Sequence, residues 1–118
     1  MRVVHDPTAD DLSPLTLATD VSVANSFVSR ARGLMLRSVP EDSAMVFPFD
    51  RPGKQWIHTA LVLVHIDVVW TVEDEVTRVE QMRPLFDLAG ARADRVVEFP
   101  AGASDGISVG ETVRVESE

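Results

Sequence analysis

Residues 61–72 read LVLVHIDVVWTV. Nine of the twelve are apolar and six of those are Val or Ile. β-Branched side chains lose χ1 freedom in a helix and pack well on a pleated surface. A run apolar on both alternating faces predicts a strand covered on both sides. This stretch is therefore expected to be the central strand, with a break near His65. Asp67 is its anomaly, because a carboxylate in such a run is costly to bury without a partner.

Around this strand the totals set bounds. The chain has 118 residues, enough for one domain with a self-sufficient core. It has no cysteine, which excludes a disulfide framework, a thiolate metal site and a cysteine nucleophile. The opening MRVVHDPTADD lacks the charged-then-apolar pattern of a secretory signal. No apolar run is long enough to span a bilayer as a helix. A soluble cytoplasmic protein with no membrane partner is expected.

Nineteen acids face eleven bases, for a net charge of −8, and Lys54 is the single lysine among those bases. Acid excess with so little lysine predicts adaptation to a cytoplasm of high salt. At roughly 1 M salt the Debye length is about 3 Å, so self-repulsion at the surface is screened. The acidic field also argues against a nucleic-acid partner.

Taken in order, residues 2–5 read as a short edge strand and 6–14 as a Pro-punctuated acidic loop. Residues 15–18 and 21–24 alternate weakly and predict one or two strands. Asn25 and Ser26 can cap a helix. Phe27, Ala31 and Leu34 then recur at helical spacing, which predicts a short helix over about 26–34. Residues 44–49 predict a strand, 50–53 (DRPG) a turn, and 55–59 a strand leading into the central stretch. Glu73 and Asp74 read as a hairpin turn. Of the following strand, the face carrying Val76, Arg78, Glu80 and Met82 is mixed and expected to be exposed. Residues 84–93 read as a long irregular connection whose Leu85, Phe86 and Leu88 cap the core. Strands at 95–99 and 111–115 flank a glycine-rich loop, PAGASDGISVG. The expected fold is mostly β: a single-domain β-sandwich or partly open β-barrel with one short helix.

Several segments together resemble one family: RARGLMLR at 30–37, AMVF at 44–47, HID at 65–67, VVEFPAG at 96–102 and GISVGETV at 106–113. In order and spacing the chain resembles the uncharacterised ACR family, domain of unknown function 192, from about 21 to 115. The resemblance implies a compact, mostly β fold with a short helix carrying the RGLM segment, and no established activity. Bacterial relatives often carry an export signal or lipid anchor, and the lack of either here fits a cytoplasmic version. Family members usually read Trp-Met-Lys-Asn-Thr shortly before Pro-Leu-Asp. Aligned on His58 to Val62 and on His65, Ile66 and Asp67, the family lysine falls on Ala60 and its asparagine on Leu61.

Five groups could carry chemistry. Asp67 with Arg32, and with Arg30 beside it, forms either a buried salt bridge or the floor of a ligand pocket, since a guanidinium fork suits a carboxylate. Glu98 with Asp67 is a weak catalytic pair of the glycosidase type, which needs two carboxyls roughly 5–10 Å apart. His58 and His65, with Asp67, are weak metal candidates, and His58 needs a bulge to reach the face of the other two. The loop glycines serve either turn geometry or an anion cradle. Trp56 and Trp70 read as packing residues or a sugar-stacking platform. No metal or cofactor is expected. The favoured reading is a non-enzymatic ligand-binding or interaction module, with a pocket near segment 30–37 and Asp67. Its partner is a small molecule or a protein; Arg30, Arg32, Asp67, Trp56 and Glu98 are its candidate residues. The alternative is a small hydrolase or glycan-acting enzyme using Asp67 and Glu98.

Overall fold

A computed structural model describes residues 1–7, 13–24, 42–58 and 64–117. The described residues form eight strands: β1 (Arg2–Asp6), β2 (Leu15–Ala18), β3 (Asp20–Val23), β4 (Ser43–His58), β5 (Ile66–Val72), β6 (Glu75–Met82), β7 (Leu88–Pro100) and β8 (Thr112–Glu116). They make one sheet in the order β2-β1-β8-β6-β5-β7-β4-β3. The helix expected over 26–34 lies outside the described residues, as do residues 59–63 of the opening stretch.

The two edge strands of this sheet are neighbours in sequence. Only Thr19 separates β2 from β3, and the amides of Thr19 and Asp20 both donate to Asp42 O. One residue cannot bridge a flat eight-stranded sheet, because strands stand about 4.8 Å apart. The sheet therefore curls until its ends meet, giving the expected partly open barrel. Every strand sends an apolar side chain inside: Val3, Ala18, Val21, Val46, Val69, Val76, Val97 and Val113 all join one cluster, which Phe99 and Ile107 complete. A second cluster lies on the other face of β4, β7, β5 and β6, built on Phe47, Ile57, Val68, Trp70, Met82 and Val96.

β5 holds the central place expected of it, and its first six residues are buried. The strand begins at Ile66, just after His65. Glu73 and Asp74 both adopt positive φ (48° and 69°), the two left-handed residues that a tight hairpin between twisted strands requires.

Four expectations need correcting. β1 is not an edge strand: it pairs with β2 on one side and β8 on the other. The DRPG segment is not a reversal. β4 runs through it and pairs with β7 on both sides, leaving only a bulge between Pro48 and Gly53. Proline removes a ladder donor, and a bulge absorbs that loss without turning the chain. In the sheet, β7 lies between β4 and β5.

The connection at 84–93 is half strand. β7 begins at Leu88, and Ala89, Ala91 and Ala93 face the second core. Small residues carry little strand signal, yet they let β7 pack closely there. Leu85, Phe86 and Leu88 do not cap the core; all three are exposed. On β6, the residues expected to share one exposed face are split by a register shift opposite Trp70 and Thr71: Val76 is buried in the first cluster and Met82 in the second. The middle of the strand holds Arg78 against Glu80, with the Arg78 guanidinium over the Trp70 ring.

Candidate functional site

Asp67 is 1% exposed and sits on β5 opposite Phe99 of β7, facing the barrel interior. Its Oδ2 accepts three hydrogen bonds, from Gly102 N (3.1 Å), Ser104 N (2.9 Å) and Ser104 Oγ (2.5 Å). The loop can offer these donors because it is wound into successive tight turns. Ala103 N donates to Pro100 O, Asp105 N to Gly102 O, and Ile107 N to Ser104 O. Gly102 takes φ +96°, which a side chain would resist.

The carboxylate thus pins the loop across one end of the barrel, where Ala103 and Ile107 join the core. The glycine-rich loop does cradle an anion, and the anion is the chain's own. Hydrogen bonds to a charged acceptor contribute about 1.5–3 kcal/mol each, roughly twice the neutral value. Oδ1 is buried without a hydrogen-bond partner among the described residues. Arg30 and Arg32, the expected partners, lie outside them.

Glu98 is placed differently. It lies opposite Val68 on one side and Met45 on the other. Cross-strand partners share a face and successive residues alternate, so Glu98 and Asp67 point to opposite faces of the sheet. The two carboxyls do not form a pair flanking a common cleft. Glu98 is 6% exposed, and its Oε1 has no hydrogen-bond partner among the described residues. Burial pushes its carboxyl up to about 8, so at neutral pH it holds its proton.

The histidines do not gather with Asp67. His58 ends β4, exposed, opposite Leu88. His65 is exposed just before β5, while Asp67 is buried in the interior. Among the described residues no three His, Asp or Glu side chains gather closely enough to hold a metal ion.

Trp70 is fully buried and donates Nε1–H to Gln55 O (3.0 Å), whereas Trp56 is 59% exposed. One is core and the other surface, so they do not form a joint platform.

Two features lay outside the sequence reasoning. Ser104 supplies two of the three donors to Asp67; its only sequence signal is a small polar residue inside a glycine-rich turn. His5 and Glu111 are both buried, and His5 Nε2 donates to Glu111 Oε1 (2.8 Å), which also accepts from Ser108 N (2.8 Å). That contact ties β1 to the loop before β8 across more than a hundred residues, a pairing that no local pattern announces.

The family model described as uncharacterised ACR, domain of unknown function 192, matches residues 11–115. No curated protein matches the chain. Two crystal structures share the fold. One is a protein of unknown function from Novosphingobium aromaticivorans DSM 12444, with TM-score 0.82, 19% identity, and coverage of 97% of this chain and 84% of that one. The other is a candidate transcription regulator from Sinorhizobium meliloti 1021, with TM-score 0.80, 21% identity, and coverage of 96% and 91%. At these identities the likeness is one of fold.

Proposed function

The chain belongs to the uncharacterised ACR family, domain of unknown function 192, and from that premise we propose that it is a non-enzymatic ligand-binding module. The observation that carries this reading is the divergence of its two buried carboxyls. Asp67 is spent on Gly102 and Ser104, while Glu98 stands protonated on the other sheet face, its Oε1 without a hydrogen-bond partner among the described residues. Acid–base hydrolysis between two carboxyls needs both on one cleft. A single neutral carboxyl in apolar surroundings instead suits a hydrogen bond to an uncharged polar group of a small molecule or peptide.

Arg30 and Arg32 join the ligand site in this reading, on the strength of their place in the RGLM segment. The setting is a cytoplasm of high salt, supported by the net charge of −8 and the single lysine.

Thermal unfolding against a panel of small polar metabolites tests the reading, with wild type and Glu98→Gln side by side. A ligand class that raises the wild-type midpoint, and does so less in the variant, is the expected result. Turnover of chromogenic esters or glycosides by the wild type, lost in both Asp67→Asn and Glu98→Gln, would overturn it in favour of a hydrolase.

A further inference from the structure

The outer face of the ribbon formed by the end of β4 and the start of β7 carries an arrangement that the core does not need. Three cross-strand pairs lie along it: Lys54 with Arg92, Trp56 with Gly90, and His58 with Leu88. All of these side chains are exposed except at Gly90. The opposite face of the same ribbon is buried, through Ile57, Ala89, Ala91 and Ala93. The ribbon is also held from its flank. Arg78 Nη1 donates to Gly90 O (2.9 Å) and Thr77 Oγ1 to Arg92 O (2.6 Å). The outward side chains therefore stand on a fixed base.

Gly90 shapes the surface. A Cβ built there would lie 2.7 Å from Cδ2 and Cε3 of Trp56, so the indole rests against bare backbone. Glycine inside a strand weakens it and marks a close approach. Here the approaching group is a large ring left 59% exposed rather than a core residue.

The charges beside it are equally unusual. Lys54 and Arg92 stand directly opposite each other, an arrangement that costs stability. Neither has an ion-pair partner among the described residues, in a chain with nineteen acids. Lys54 Nζ rests 5.0 Å from the centroid of Trp56 instead. Asp94, two residues beyond Arg92, accepts from Glu73 N (3.0 Å).

From this juxtaposition we infer that the Trp56 face is a binding site for a small ring-bearing phosphate, the ring stacking on Trp56 and the phosphate taken by Lys54 and Arg92. A guanidinium fork matches phosphate oxygens at two points, and an ammonium adds a point charge. Stacking on an exposed indole accepts either a nucleobase or the apolar face of a sugar. The net charge of −8 disfavours a long polyanion and leaves a ligand carrying one phosphate group. This site is separate from the Glu98 face and does not depend on the reading given above.

The test uses the full chain in ¹H–¹⁵N correlation spectra at about 0.1 M salt, where screening still leaves close charges effective. Two tryptophans give two indole signals, and Trp56→Phe identifies which belongs to the exposed ring. Adenosine monophosphate and glucose 6-phosphate are titrated, with adenosine, glucose and inorganic phosphate as ring-only and charge-only controls. The expected result is a saturable shift of the Trp56 indole with at least one phosphorylated ring, the Trp70 signal holding still. Each control binds at least tenfold more weakly, and the double variant Lys54→Gln/Arg92→Gln loses at least tenfold in affinity. Preference for the adenosine or the glucose compound identifies a nucleobase or a sugar as the ring. No saturable shift with either compound, or equal affinity in the double variant, would overturn the inference.

Discussion

Replacing Glu98 by Gln should remove a large part of the dependence of stability on pH. In the folded chain the Glu98 carboxyl is buried and holds its proton up to about pH 8, whereas its ordinary value is 4.5. Below pH 4.5 both folded and unfolded chains keep this proton, and the group adds no pH dependence. Between 4.5 and 8 the unfolded chain releases it while the folded chain retains it. Stability therefore falls as pH rises through this window, by about 1.4 kcal/mol per unit, and levels off above it. From pH 5 to pH 8 the accumulated loss is about 4 kcal/mol. Gln has nearly the same volume and no proton to release. Urea unfolding at pH 5, 6, 7 and 8, followed through the buried Trp70, measures both proteins. Other titrating groups contribute equally to the two, so the difference between them isolates Glu98. The variant should match wild type near pH 5 and be the more stable protein at pH 8. Parallel stability profiles across this range would refute the burial argument.

Three further outcomes follow from the same geometry. Ser104→Ala removes one of the three donors to Asp67 and should cost about 1–2 kcal/mol, with faster hydrogen exchange at the amides of residues 102 and 104; unchanged exchange would remove Asp67 as the clasp of this loop. Gly90→Ala should displace the Trp56 ring and destabilise by about 1–3 kcal/mol, seen as a lowered urea midpoint together with a shifted Trp56 indole signal. With a net charge of −8, the unfolding midpoint should climb steeply from low to molar salt, and a flat response measured by circular dichroism would count against salt adaptation.

How much of this was legible depended on how local each signal was. The β5 run and the Glu73–Asp74 turn announce themselves, because period, β-branching and turn chemistry all act within a few residues. Segment 88–93 hid its strand, since Ala and Gly are chosen there for close packing rather than for backbone preference. Asp67 stood out as a buried acid from sequence alone, but its partners were out of reach. Ser104 is thirty-seven residues away, and what it offers first is a backbone amide, which every residue has. The separation of Asp67 from Glu98 needed strand register, a quantity that a single sequence does not carry.

The single-residue step at Thr19 has a consequence for how the molecule is made. β1 must lie beside β8, the last of the eight strands, while β3 must lie along β4 on the far edge. The β8 side of β1 can be satisfied only by a segment more than a hundred residues further along the chain. Such long-range closure predicts slow folding. A shortened chain starting at residue 11, where the family match begins, would lose β1, the strand β2 pairs with among the described residues.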